Sequence, residues 1–206
     1  MRTILVTGFG PFPGAPHNPT AAVVKRLAGM RRMNLHIVGH VFDTTYAAVD
    51  RELPILLKKH KPDALLMFGL HGRTKTLRVE TLARNVLGRV RDAGGRVPRA
   101  RAIIRGADHR RMLSPALRLV RAVRRRGVVA VTSRDAGKYL CNYLSWRSTE
   151  AVGKSPQLAA FIHVPPVARK SLRKGRRGLT SAALQRAAGA ILSELAACLG
   201  SGRMRP

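Results

Sequence analysis

Apolar runs alternate with amphipathic stretches along most of the chain. Residues 2–7 form a short apolar run stopped by Gly8, and read as a buried strand. Residues 9–18 are rich in Gly and Pro and read as loop. Pro19-Thr20-Ala21-Ala22-Val23-Val24 opens a helix, with Asn18 as its N-cap and Pro19 at the first helical position, where a missing N–H is tolerated. Residues 35–41 are strand-like. Residues 44–60 put Val49, Leu53, Leu56 and Leu57 on one side at helical spacing. Residues 64–68 are a second buried apolar run ending at Gly69. Residues 76–97 alternate but carry Gly and Pro, and read as a hairpin or an extended excursion. The pattern then predicts a helix over 113–126, a strand over 128–132, a helix over 138–151, a strand over 159–164 and a long helix over 181–199.

Strands that are apolar throughout are buried on both faces, which suits a mostly parallel twisted sheet covered by helices. The expected fold is therefore α/β, a three-layer α/β/α arrangement. No internal repeat or long linker divides the chain, so residues 1–206 read as one domain. Residues 167–178 and the basic tail 201–206 read as its most flexible parts. In such sheets ligands sit beyond the carboxyl ends of the strands. That rule selects the segments after Thr7, after Phe68, after Thr132 and around His163.

Composition adds three constraints. Aromatic residues make up 4% of the chain, so the core must rest on Leu, Val, Ile and Ala. No uninterrupted apolar run reaches the roughly 18 residues of a membrane span, and the first residues read as a strand rather than a leader. A cytoplasmic location without membrane attachment is expected. Lys and Arg number 39 against 10 acids, for a formal charge of +29, with basic clusters at 121–126 and 169–177. This field would attract polyanions such as nucleic acid without reading their sequence, since no zinc finger, basic zipper or RNA-recognition motif is visible. A solvated Arg-rich surface accounts for it equally well. With so few acids, each carboxylate in an apolar setting merits inspection.

Only two cysteines are present, too few for a disulfide scaffold and without zinc-site spacing. Cys198, in Leu195-Ala196-Ala197-Cys198-Leu199, reads as a buried helix thiol. Cys141 lies near the start of the helix after strand 128–132, where the helix dipole favours a thiolate. A cysteine nucleophile also needs a base and a group to hold that base. His163 ends the strand begun by Ala159-Ala160-Phe161-Ile162. Glu80 is a rare acid among apolar neighbours in Leu77-Arg78-Val79-Glu80-Thr81-Leu82-Ala83. These residue types permit a Cys–His–Glu triad, although a buried thiol and an isolated histidine explain the same residues taken singly.

Four ordered segments together resemble the pyroglutamyl peptidase I family of cysteine peptidases, also called pyrrolidone-carboxylate peptidases. They are Val6-Thr7-Gly8-Phe9-Gly10-Pro11-Phe12 with Asn18-Pro19-Thr20; Gly72-Arg73-Thr74 with Glu80 and Ala83-Arg84-Asn85; Ala136-Gly137-Lys138-Tyr139-Leu140-Cys141-Asn142; and Phe161-Ile162-His163-Val164-Pro165. The resemblance implies an α/β/α fold and removal of an N-terminal pyroglutamyl residue from peptides. It implies Cys141 as nucleophile, His163 as base and Glu80 as orienting carboxylate, with no metal or organic cofactor. Phe9 and Phe12 match aromatics lining the lactam pocket, with core packing as the plainer account of both. Arg89 matches an arginine near the oxyanion site, with Arg91 as the alternative and surface charge as the plain account of either. Val90 would line the pocket beside it. Relatives often form homo-oligomers, so self-association is also implied.

The sequence departs from the family pattern at several points. Lys138 replaces a common Thr, and Tyr143 stands where relatives often have His. One extra residue separates Gly72 from Glu80. Gly69-Leu70-His71-Gly72 lacks the polar Gln that many relatives carry near the lactam. His71 would supply a substitute hydrogen bond, or is a loop histidine with no role. Three readings follow: an active pyroglutamyl peptidase, a same-family cysteine hydrolase with altered preference, and a polyanion-binding protein whose triad is idle.

Overall fold

The computed structural model describes residues 1–12, 14–152, 157–168 and 178–200. The basic cluster at 169–177 and the tail 201–206 lie outside the described residues. Among those described, a six-stranded sheet dominates. Its strands are β1 (Arg2–Phe9), β2 (Leu35–Phe42), β3 (Ala64–Leu70), β4 (Leu77–Glu80), β7 (Ala130–Ser133) and β8 (Leu158–Val164). Their spatial order is β2-β1-β3-β8-β4-β7. All neighbours are parallel except β4 and β8, which are antiparallel. A two-stranded ribbon pairs β5 (Leu82–Ala83) with β6 (Arg110–Arg111).

Side-chain alternation along each strand feeds two cores. Ile4, Val6, Leu66, Phe68, Ala160 and Ile162 face α1 (Pro19–Ala28), α3 (Ala116–Arg124) and α5 (Ser181–Gly200). Leu5, Phe9, Leu65, Met67, Ala159 and Phe161 face α2 (Tyr46–His60) and α4 (Leu140–Ala151). The expected three layers result. The α1 cap also forms as expected: Asn18 accepts from the Thr20 N–H and donates to the Gly10 carbonyl. This second bond fixes the loop that leaves β1.

Two expectations require correction, and one open alternative is decided. The helix expected over 113–126 begins only at Ala116, because Pro115 takes the N-cap position and cannot sit in a helix interior. Residues 76–97 do not close a simple hairpin. Their first strand, β4, enters the sheet between β8 and β7, and residues 84–109 form an irregular excursion. Asn85 staples that excursion, donating to the Ile104 and Ala107 carbonyls and accepting from the Ile103 and Ile104 N–H groups. Finally, β7 runs opposite to β1, β3 and β8, so the segment after Thr132 leaves from the other edge of the sheet. The chain must turn back over 134–139 to start α4.

By length and composition α5 could cross a membrane. It carries Arg186 and Glu194, however, and Leu184, Ile191, Leu192 and Leu195 are buried against the sheet's neighbours. It is a core helix, and the expected buried Cys198 lies within it at 5% exposure.

Candidate active site

Strand register places the chemistry. In the parallel pair β3–β8, Gly69 lies opposite His163. In the antiparallel pair β8–β4, Glu80 lies opposite Phe161, two residues from His163 and on the same face of the pleat. A diagonal contact across that pair follows. His163 Nδ1 donates to Glu80 Oε1 at 2.8 Å. Both side chains are sealed, at 2% and 0% exposure. Cys141 is the second residue of α4, which packs on this face. Its Sγ fills the space over Gly69: a Cβ built there would stand 2.7 Å from Sγ and 2.7 Å from the Phe161 ring. The three residues expected from sequence therefore converge, with Gly69 as the gap that lets the sulfur approach.

The environment sets the imidazole's charge. Burial works to lower the His163 pKa, but the charge on Cys141, a hydrogen bond with it, and the bond and charge of Glu80 outweigh burial and push it up to about 9. An imidazolium between sulfur and carboxylate is thus favoured. The other carboxylate oxygen, Glu80 Oε2, is buried without a hydrogen-bond partner among the described residues. The carboxylate is thus committed to His163 alone. The His71 ring stands edge-on 5.1 Å from His163. Burial first, then the charge of His163, lowers its pKa. A neutral His71 avoids placing a second cation against the first.

Asn142 fixes the helix that carries Cys141 to the excursion. Its Oδ1 accepts from the Arg84 N–H, and its Nδ2 donates to the Arg84 and Val86 carbonyls. The Gly88 N–H donates to the Lys138 carbonyl at 2.6 Å, so Lys138 serves through its backbone while its side chain is exposed. Tyr143, the other departure, donates to Asp50 and receives Arg147.

The remaining expected residues are distributed less tightly. Phe9 is 2% exposed and packs on Phe42 with ring centroids 6.1 Å apart, in the same cluster as Tyr46 and Leu140. Phe12 is half-buried in the loop after β1, bridged to Ala15. Val90 is 53% exposed. Arg89 is exposed beside Gly88, and Arg91 directs a guanidinium nitrogen to the Gly95 carbonyl at 3.4 Å. His71 Nδ1 has no hydrogen-bond partner among the described residues.

Sequence reasoning gave no role to Gly69, Asn142 or Tyr46. Asn142 directly follows Cys141, the candidate nucleophile, and that adjacency is the available signal. Tyr46 meets Tyr139 and Tyr143 edge-on at 6.0 and 5.0 Å, and its buried hydroxyl has no partner among the described residues. No local pattern pointed to it.

Comparison with known proteins finds one family. The family model for pyroglutamyl peptidase matches residues 2–199. A pyrrolidone-carboxylate peptidase of Pyrococcus furiosus is 30% identical over 179 residues, covering 85% of this chain and 86% of its own. One from Thermococcus onnurineus is 32% identical, covering 84% and 88%. The solved pyrrolidone carboxyl peptidase of Thermococcus litoralis superposes with a TM-score of 0.86 at 27% identity, covering 100% of both chains. The Bacillus amyloliquefaciens pyroglutamyl peptidase I structure gives a TM-score of 0.85 at 28% identity, covering 96% and 98%.

Proposed function

The chain belongs to the pyroglutamyl peptidase family of cysteine peptidases, and on that premise we propose that it removes an N-terminal pyroglutamyl residue through a thioester formed on Cys141. The observation that carries this reading is the convergence of Cys141 Sγ over Gly69 with the His163–Glu80 bond of 2.8 Å. Cys141 sulfur attacks the carbonyl carbon of the pyroglutamyl peptide bond. The tetrahedral oxyanion is met by backbone N–H groups of the first turn of α4, which lack partners within the helix, with Arg89 supplying positive charge nearby. His163 donates its proton to the departing amine as the C–N bond breaks, leaving the acyl group on sulfur. A water then gives a proton to His163 and attacks the thioester carbonyl, releasing pyroglutamate and restoring the thiolate–imidazolium pair. Glu80 holds the imidazole by its Nδ1–H throughout, which keeps Nε2 toward the sulfur.

The lactam ring has no charged amine, so its pocket needs apolar walls and few polar groups. Phe9, Phe12 and Val90 are assigned to those walls and His71 to a polar contact. A free Cys141 thiol suits a reducing compartment, which supports the cytoplasm as the place of action. Hydrolysis of a pyroglutamyl chromogenic amide, compared with prolyl and alanyl amides, tests the assignment. The pyroglutamyl amide should be cleaved fastest. Faster cleavage of either other amide would convert the assignment to a same-family hydrolase of altered preference. No cleavage of any by folded protein would leave the triad idle.

A further inference from the structure

Two segments border the residues that hold the Cys141 sulfur. The turn after β3, residues 71–76, follows Gly69, over which that sulfur sits, and carries Arg73 and Lys75, both exposed. On the other side, residues 86–91 are tied to the nucleophile's own segment. The Gly88 N–H donates to the Lys138 carbonyl at 2.6 Å, and the Tyr139 hydroxyl donates to the Arg91 carbonyl at 3.1 Å. Arg89, Arg91 and Lys138 are exposed along this segment. A cleft of about 680 Å³ adjoins it, lined by Leu87, Arg96, Val97, Pro98, Arg99 and Ala100.

The acids of this second segment are already engaged. Asp92 accepts from the backbone N–H groups of Tyr46, Gly94 and Arg96. Asp135 is held by Arg84 at 2.7 Å. The mouth of the site is therefore a concentration of cations whose neighbouring carboxylates have other work. Such a mouth repels cations and gathers anions over distances of about a Debye length, roughly 10 Å at 0.1 M salt. An ordinary peptide brings a protonated terminal amine to it. A pyroglutamyl peptide brings a neutral lactam.

Building on the peptidase reading, we propose that the cationic mouth selects pyroglutamyl peptides carrying acidic residues just after the pyroglutamyl group. The incoming Asp or Glu side chains face Arg73, Lys75, Lys138 and the arginines of the 96–99 cleft. The same field turns away unblocked amino termini and basic peptides. In this reading the net charge of the chain is part of substrate choice.

The test uses three synthetic peptides: pyroglutamyl-Ala followed by two Glu, two Ala or two Lys. Cleavage is measured as kcat/KM at about 10 mM and about 0.5 M salt. At low salt the Glu peptide should be cleaved at least about tenfold more efficiently than the Lys peptide, within the range that charge steering supplies. At high salt, where the Debye length falls to a few ångströms, the ratio should shrink to about two. The triple variant Arg73→Gln/Lys75→Gln/Lys138→Gln should lose most of the low-salt preference and retain wild-type kcat/KM on the Ala peptide. Equal cleavage of the Glu and Lys peptides at low salt overturns the charge selection alone, as does an undiminished preference in the triple variant. Failure to cleave any of the three overturns the peptidase reading and this proposal together.

Discussion

The face formed by β3, β8 and β4 differs sharply from the excursion over residues 84–109 that borders it. On the first, Gly69, His163 and Glu80 are fixed by strand register, and His163 and Glu80 are sealed from water. On the second, two-residue strands and side-chain staples hold an irregular path, and Arg89, Val90 and Arg91 project into solvent. The first region can hold atoms to fractions of an ångström, as proton transfer between sulfur and an imidazole fixed by a carboxylate demands. The second suits long-range charge and adjustable contact, which tolerate variation. In the proposed reading, bond making belongs to the sheet and the choice of peptide to its border.

The sharpest break in this division comes from the two cysteines. Cys141→Ser should abolish measurable turnover, because a serine hydroxyl lacks the acidity to form the anionic nucleophile. Cys198→Ser, altering a buried position of α5, should retain most activity. Alkylation followed by peptide mapping checks the pair independently. Inactivation that tracks modification of Cys198 alone would move the nucleophile out of the sheet region.

Glu80→Gln comes next. The folded variant should lose about two to four orders of magnitude in kcat, the scale seen when a triad's orienting carboxylate becomes an amide. It should also change the pH profile. His163 must be protonated to serve the leaving amine, so wild-type kcat/KM should decline as pH rises through about 9. Glu80 is one of the groups that raise that pKa, so its neutralisation should move the alkaline decline to lower pH. An unmoved alkaline limb would remove Glu80 from the triad.

Gly69→Ala tests whether the gap over β3 matters by itself. The added methyl would meet Sγ and the Phe161 ring at 2.7 Å, and one of them must shift. We expect about a hundredfold loss in kcat, in line with the cost of misplacing a reacting group by about an ångström. Circular dichroism should report an intact fold. Wild-type kinetics in this variant would mean that the sulfur has freedom the sheet face does not allow.

Phe9→Leu probes the boundary between the two regions and carries the smallest effect. The ring packs on Phe42, so trimming its shape should destabilise the protein by roughly 1–2 kcal/mol, read from thermal melting. If Phe9 also walls the lactam pocket, as proposed, KM for pyroglutamyl amides rises several-fold while kcat holds. A lowered melting temperature with unchanged KM would assign Phe9 wholly to the core.

The fold was legible to the extent that periodicity carries information. β1, the Asn18 cap of α1, the alternation of strands with helices and the two-sided burial of the central strands all leave local patterns. Glu80 was legible because an acid between Val79 and Leu82 contradicts its surroundings, and His163 because it ends an apolar run. The antiparallel insertion of β4 was not legible, since pairing direction depends on residues some 80 positions away. Gly69 reads as a strand stop because its importance lies in Cys141, which reaches it from α4. The excursion after Ala83 has no period to read: its order comes from Asn85 and Asn142, whose bonds span up to 58 positions.

The position of β8 has a consequence for how the enzyme is made. It is the last strand of the sheet in chain order, yet it lies at the middle, between β3 and β4. Before residues 158–164 are in place, the strand that joins the β2-β1-β3 group to the β4-β7 pair is missing, and neither Glu80 nor Cys141 has met His163. Closing loops of this span is slow relative to local helix formation. Until that strand docks, the Cys141 thiol stands without the imidazole beside it. If Cys141 and His163 act as proposed, competence for peptide cleavage arrives with one late strand.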